Sequence, residues 1–405
     1  MSTIASPRAA DMPLVLILLL AFLTGLDAMA IDMYLPGMPG IAADFDVSPG
    51  RIQQTLSIFL LGLAIGQGLY GPLLDRYGRR VPLLAGMAIF VAGSVLGALA
   101  PSVEWLMAAR FLQAIGAAAG LVTPRAIVAD LCSLSESARV FSVLMQVMMI
   151  APILAPILGG YLLGHGDWRL IFWVLAALGA IGLAWGLRSI PDSLPVERRT
   201  PLHPGSIARA YGRQMRNGPF MAYTLSGGFV LGALFVYISG SAFVFTGHFG
   251  LSPAQFSYVF AANSVAVVLG GALSNRLLRG GMAAQRVMVI GLVLHVLAAF
   301  ALFLAVAAGL TSLAVYLGLL ALAIGLLGLV FGNMTALTMD NAGPQAGTAS
   351  ALMGMLQYLV AAIVGYVVSL TAQGLGQLPL AIAACGVLAL VLYGFAARAS
   401  DAQGK

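Results

Sequence analysis

PLVLILLLAFLTGLDAMAIDMYLP, residues 13–36, stays apolar from Pro13 to Leu26 and then carries two carboxylates, Asp27 and Asp32. About 20 apolar residues suffice to cross a hydrocarbon core about 30 Å thick. A charge at mid-bilayer costs about 3 kcal/mol on insertion scales, so an acid placed there points to function.

Eleven further stretches have the same character: 52–73, 82–101, 103–125, 138–163, 168–190, 218–246, 254–276, 285–308, 311–337, 346–371 and 377–397. Hydrophobic residues make up 60% of the chain and charged residues 8%. Soluble domains carry roughly 25% charged residues. The expectation is an all-α membrane protein of twelve transmembrane helices. The one long polar interruption, Pro191 to Asn217, holds Glu197, five arginines and Pro191, Pro195, Pro201 and Pro204. It divides the chain into an N-terminal six-helix bundle (1–190), a cytoplasmic linker (191–217) and a C-terminal six-helix bundle (218–405). Arg8, the run from Leu14 and Ala28-Met29-Ala30 imitate a cleavable signal. Asp11 offsets Arg8 and Asp27 precedes the supposed cut, so the first span is read as retained.

Nineteen of the 20 basic residues are arginines, and their placement orients the chain. With the N-terminus inside, the inner loops and tails hold sixteen: Arg8, Arg76, Arg79, Arg80, Arg139, Arg188, Arg198, Arg199, Arg209, Arg213, Arg216, Arg276, Arg279, Arg286, Arg398 and Lys405. The outer loops hold Arg51 and Arg169; Arg110 and Arg125 lie within span four. Both termini and the linker are therefore expected in the cytoplasm. No basic cluster is interleaved with aromatics, which argues against nucleic-acid binding. Cys132 and Cys385 are far apart and read as packing residues rather than a disulfide framework.

The halves echo each other. Gly71-Pro72-Leu73-Leu74-Asp75-Arg76-Tyr77-Gly78-Arg79-Arg80 follows span two, and Gly271-Ala272-Leu273-Ser274-Asn275-Arg276 follows span eight. Two related six-span lobes enclosing a site between them is how many secondary transporters are built. In the first of these loops, Gly71 and Gly78 permit a tight turn. Asp75, Arg76, Arg79 and Arg80 can reach helix ends and acidic side chains, which makes the loop a candidate gating latch. Its pattern resembles the G-x-x-x-D-R-x-G-R-R/K loop of the major facilitator superfamily.

Arg110 lies about seven residues into span four, ~10 Å below the outer face, and Asp27 lies ~21 Å above the inner face. In a core about 30 Å thick these are nearly one depth. An unpaired guanidinium there is unfavourable, so pairing or close coupling with Asp27 or Asp32 is expected. The two acids are about 140° apart around a helix and cannot both face Arg110 directly. Desolvation and a nearby arginine act oppositely on a carboxyl's hold on its proton. Asp27, Asp32 and Arg110 are thus the candidate proton-coupling set. Arg125, fifteen residues further on, either lines the inner mouth or reaches headgroups. Asp130 and Asp340 read as helix-end groups.

Span five carries Pro152, Pro156, Gly159 and Gly160, a pattern for bending and close helix approach. It resembles the antiporter signature of superfamily drug exporters. Candidate substrate contacts are Tyr34, Gln113, Met145, Gln146, Met149, Tyr237, Phe243, Asn263, Asn333, Gln357 and Tyr358, since Met and aromatics adapt to apolar ligands and amides orient them. His295 reads as packing. No metal-ligand spacing, phosphate loop or nucleophile–base set is present, so neither an enzyme nor a bound cofactor is expected; the energy source is the proton motive force. A monomer in the bilayer, exchanging protons for a small molecule, is the expected form.

Asp32-Met33-Tyr34-Leu35-Pro36 with Met38-Pro39 resembles the D-M-Y-L-P-x-x-P opening of the Bcr/CflA (bicyclomycin and chloramphenicol resistance) exporters. Gln53 to Leu56, Gly66-Gln67, Tyr70-Gly71-Pro72, Ala126-Ile127, Trp168-Arg169, Ile171-Phe172 and Asn333 support the likeness. The resemblance implies twelve helices in two pseudo-symmetric bundles, proton-driven antiport, and drug export across the inner membrane, with Asp32 and Arg110 as the coupling acid and its arginine. Asp27 departs from that group; Leu26-Asp27-Ala28-Met29 is similar to the first span of tetracycline exporters. Which acid carries the proton, and for which substrate, stays open. Export of an endogenous amino acid, sugar or siderophore is the alternative, followed by import and then by a channel or membrane enzyme.

Overall fold

The computed structural model describes residues 12–199, 204–343, 346–371 and 374–402; Arg8, Asp11, Pro201 and Lys405 lie outside them. The first half contains α1 (Leu14–Asp32), α2 (Met38–Asp44), α3 (Pro49–Tyr77), α4 (Arg80–Ala98), α5 (Val103–Leu131), α6 (Leu134–Leu163) and α7 (Arg169–Ser189). A short helix, α8 (Pro204–Met215), follows. The second half contains α9 (Gly218–Phe243), α10 (Pro253–Arg279), α11 (Ala284–Ala307), α12 (Leu313–Leu326), α13 (Phe331–Asp340), α14 (Ala346–Ser369) and α15 (Gln377–Ala402). Among the described residues, twelve helical stretches are long and apolar enough to cross a membrane.

Side-chain caps set several helix starts. Ser48, Ser102, Ser252 and Ser312 accept hydrogen bonds from Arg51, Trp105, Gln255 and Val315 nitrogens. Each satisfies a donor that the first helical turn leaves free. The prolines that follow two of them, Pro49 and Pro253, need no such partner.

Three elements depart from expectation. The first span does not end at Pro36; a 3-10 turn, Leu35–Gly37, carries the chain into α2. Pro36 and Pro39 sit at first-turn positions, where the missing N–H loses no bond. The tenth span is broken between α12 and α13 by a second 3-10 turn, Leu327–Leu329. There Gly328 lies directly on α10: a Cβ on it would collide with the Val267 carbonyl oxygen. The linker also holds a helix, α8. Tyr211 of α8 donates to the Gly68 carbonyl oxygen in α3 (3.4 Å), and Asn217 Nδ2 donates to Asn341 O (2.7 Å). The linker thereby touches both halves.

Helices α1 and α3–α7 pack on one another, as do α9–α15. The halves meet along two seams, α3 on α14 and α6 on α10. Small residues set helix distances. On α5, Gly116 meets the α4 backbone so closely that a Cβ would overlap the Phe90 nitrogen. Gly116→Ala is expected to destabilise the protein by about 1–3 kcal/mol through overpacking. Gly318→Ala in α12, with open space around it, should be neutral or stabilising by up to about 1 kcal/mol. Thermal unfolding of both variants in detergent checks the pair.

Candidate functional site

Arg110 is completely buried, and it is not paired with either acid. Of the two expected arrangements, pairing with an acid or close coupling to one, the direct ion pair is not formed. Its Nη1 donates to the Ala30 carbonyl oxygen (2.9 Å) and to Gln113 Oε1 (2.6 Å). Its guanidinium carbon lies 4.1 Å from the Phe59 ring centroid, 4.7 Å from Tyr34 and 5.9 Å from Phe172. A cation over desolvated aromatic faces gains about 2 kcal/mol, so three rings replace the missing counter-ion. Gln113 Nε2 donates in turn to Ser94 Oγ (2.8 Å), and the Tyr34 hydroxyl shares a hydrogen bond with Thr55 Oγ1 (2.8 Å). Arg110 therefore gathers α1, α3, α4, α5 and α7 at one point. Arg110 lies at the depth its position along α5 dictates, at the helical turn between Asp27 and Asp32, but the rotation of the helices turns it to the α1 backbone.

Asp27 is 5% exposed and its Oδ1 accepts the Ala28 N–H (2.7 Å). The cation whose field reaches it is Arg125, and both charges act on Tyr358 of α14. Arg125 itself, on α5, is exposed rather than packed into the bundle.

Asp32, 4% exposed, borders a cavity of about 780 Å³ between the halves. Of the expected contacts, Met145, Met149, Tyr237, Asn263 and Asn333 line it, together with Pro152. Asn263 Nδ2 donates to the Tyr237 hydroxyl (2.9 Å), and the Tyr237 ring stacks on Phe260 at 5.3 Å. Asn333 Nδ2 donates to Ser274 Oγ (2.9 Å). The other expected contacts do not line this cavity. Tyr34 and Gln113 belong to the Arg110 cluster. Gln146 lies on another face of α6 than the lining residues. Phe243 closes the far end of α9. Gln357 packs against Gly227, and Tyr358 against Phe235 (6.3 Å). Residues missed from the sequence include Met148, Phe260, Ser264 and Ser274. Their spacing held the signal: Phe260, Asn263, Ser264, Val267, Gly271 and Ser274 form one helical stripe.

The cavity reaches Leu278 and Ala284, at the end of the bundle carrying Arg276, Arg279 and Arg286. At the other end the Leu35–Gly37 turn packs on α9 and α10. The four expected residues of α6 organise this region. A Cβ on Gly159 would strike the Met33 carbonyl oxygen, and one on Gly160 would strike Ser257 Oγ. One glycine admits α1 and the other admits α10. Pro156 has no N–H to give the Pro152 carbonyl, its helical partner. The Ser264 hydroxyl of α10 lies within hydrogen-bond reach of that oxygen (3.2 Å) as well as of the Phe260 carbonyl in its own helix (3.0 Å), and its one proton is shared between them.

At the basic end, the expected latch is a built cluster, with one change. Gly71 lies inside α3, not in the turn, because the helix continues to Tyr77. Gly78 alone makes the turn, at φ 82°. Arg79 grips Asp130 at the end of α5 through Nε (2.8 Å) and Nη2 (3.2 Å), and Asp75 through Nη1 (3.0 Å). Arg80 Nη2 donates to the Leu187 carbonyl oxygen near the end of α7 (2.7 Å), while Arg76 lies over the Tyr77 ring. Asp192, which the sequence did not single out, accepts the Arg79 N–H (3.0 Å) and pairs with Arg199. Any Cβ on Gly78 would occupy the place of the Asp192 carboxylate. His295 is buried in packing, with Nδ1 2.7 Å from the Ala323 carbonyl oxygen. Cys132 and Cys385 are free thiols. No group of three or more metal-ligating side chains occurs among the described residues.

Twelve membrane-crossing helices in two packed halves, with a buried acid on the wall of a cavity between them, define a two-lobed solute transporter. The profile of the Major Facilitator Superfamily matches residues 20–366, and the chain belongs to that family. It is 36% identical to an uncharacterized MFS-type transporter, YdgK, of Bacillus subtilis (strain 168), over 92% of this chain and 94% of that one. It is 31% identical to a bicyclomycin resistance protein homolog of Haemophilus influenzae, over 94% and 96%. The resemblance read from Asp32 to Pro39 is thereby shown. A crystal structure of a D-xylose-proton symporter shares the fold with a TM-score of 0.75 at 17% identity, covering 94% of this chain and 96% of that one. The protein is a multi-pass transporter of the bacterial inner membrane, not an enzyme.

Arg110→Lys keeps the charge but loses the planar fork and ring contacts. It should lower stability by about 1–3 kcal/mol, read as a lower unfolding temperature in detergent. Gly78→Ala should displace Asp192 and free Arg199, so that trypsin cleaves at Arg199 several-fold faster than in the parent protein.

Proposed function

We propose that this chain is a proton-coupled antiporter that exports apolar, drug-like molecules across the inner membrane by alternating access. Its basic end faces the cytoplasm, in line with sixteen inner and two outer basic residues. The observation that carries the reading is Asp32, a buried carboxyl at the far end of the interlobe cavity, next to the turn that closes that end.

A carboxyl that exchanges its proton for cargo must meet both. Asp32 borders the cargo space, and the Leu35–Gly37 turn beyond it rests on α9 and α10. Protonation removes a charge from a poorly solvated place and releases the need for polar surroundings. That changes the balance between a cavity open to the cytoplasm and one open outward. Arg110 holds α1 through the Ala30 carbonyl, so the acid keeps its position in either charge state. Asp27, with Arg125 and Tyr358 nearby, serves as a second proton station toward the cytoplasm. Met145, Met149, Tyr237, Asn263 and Asn333 contact the cargo. The Asp75–Arg79–Asp130 cluster holds the inner ends of α3, α4 and α5 as one unit during the switch.

The similarity to a protein named for bicyclomycin resistance supports drug export over export of an endogenous metabolite. In proteoliposomes loaded with a pH dye, chloramphenicol or bicyclomycin should elicit proton movement in the parent protein. Asp32→Asn should abolish it, and Asp27→Asn should slow it. Unchanged proton movement in Asp32→Asn would falsify the assignment.

A further inference from the structure

Asn263 is wholly buried at the wall of the cavity, yet its Oδ1 has no hydrogen-bond partner among the described residues. Its other amide atom is committed: Nδ2 donates to the Tyr237 hydroxyl at 2.9 Å. The Tyr237 ring is held in turn by stacking on Phe260 at 5.3 Å with a 13° tilt. The amide is thus fixed in rotation, with a desolvated acceptor left over. Such an acceptor forms a strong bond when a donor arrives and is unfavourable when none does. Asp32 borders the same cavity. The lining includes no Lys, Arg or His, and the fully buried Arg110 bonds the α1 backbone rather than lining the wall. The rest of the wall is largely apolar, with Met145, Met148 and Met149 adaptable to varied shapes.

We propose that Asn263 is a specificity-determining residue and that the cargo is an apolar, neutral or cationic molecule bearing an N–H or O–H donor, which Asn263 Oδ1 accepts. Molecules of the same shape without that donor bind less well, and anions are refused because the wall offers Asp32 and an acceptor but no cation. The inference rests on the reading of this cavity as the transport site. A site that hydrogen-bonds a particular group discriminates against analogues lacking it.

Two phenothiazinium dyes of equal charge and ring system make the test. Thionin carries two –NH₂ groups; in methylene blue both are dimethylated and no N–H remains. Binding of each to the purified full chain in detergent, with no proton gradient, is followed by dye fluorescence or absorbance. Thionin should bind about tenfold tighter than methylene blue, the worth of one hydrogen bond. The resorufin anion should not bind measurably. Asn263→Leu, of similar size, should reduce the thionin preference to near unity. Asn263→Asp, which keeps an acceptor, should retain it, and so should Asp32→Asn. Tyr237→Phe, which frees the amide to rotate, should give an intermediate preference. Equal binding of the two dyes by the parent protein, tight resorufin binding, or no binding of either cationic dye overturns the proposal. So does an undiminished preference in Asn263→Leu. Because these are gradient-free affinities, they are separate from the proton movement that tests antiport itself.

Discussion

A guanidinium with no carboxylate beside it sits at the centre of the first six spans. Arg110 must be compensated where water cannot reach, and the compensation comes from a backbone carbonyl, an amide and three rings, supplied by α1, α3, α5, α7 and the residue Tyr34 just past α1. The consequence is mechanical as much as electrostatic. Because the bond goes to Ala30 O, α1 is held at the turn between its two acids whichever of them is charged. Had Arg110 paired with Asp32, loading a proton would have broken the contact that positions the helix. As built, the contact that positions α1 does not depend on the charge of either acid.

The halves divide the labour. The first carries the ionisable groups, with Asp27, Asp32, Arg110 and Arg125 on α1 and α5. The second contributes most of the cavity wall, as amides, small hydroxyls and aromatic faces from α9, α10 and α13. Contact between them runs through places where backbone chemistry is incomplete. Pro156 leaves a carbonyl free, and the Ser264 hydroxyl from the opposite half reaches it while also reaching the Phe260 carbonyl of its own helix. In a hydrocarbon setting an unsatisfied backbone group is unfavourable by several kcal/mol. A proline kink in one lobe therefore creates a docking point for the other, and the Gly159–Gly160 pair brings α1 and α10 near enough to use it.

The basic end is organised by the same economy of space. Gly78 is bare so that Asp192 can reach the turn, and Asp192 in turn holds the start of the linker. Through Tyr211 and Asn217 the linker also touches α3 and the end of α13. The segment between the lobes is thus tied to each, and a shift of one lobe is felt along it.

Twelve spans, the six-plus-six division and the family were legible in the sequence. Each depends on quantities that sum along the chain: apolar length, proline and arginine placement, and motifs such as Asp32–Pro36 and Gly71–Arg80. The depth of Arg110 was legible too, because rise per residue is nearly constant in a helix. Its partner was not. Which side of α1 it meets depends on how α1 and α5 are rotated, and that is set by contacts between helices, such as Gly120 against the Leu23 backbone. For the same reason Tyr34 and Gln113 proved to be buried against neighbours and Tyr358 to pack half-buried against Phe235, while Ser264 and Ser274 reached the cavity. Local sequence determines whether a helix crosses the bilayer and how far along it a residue lies. Only tertiary packing decides what each side chain faces, because the angle around a helix axis is settled by the neighbours that fit against it.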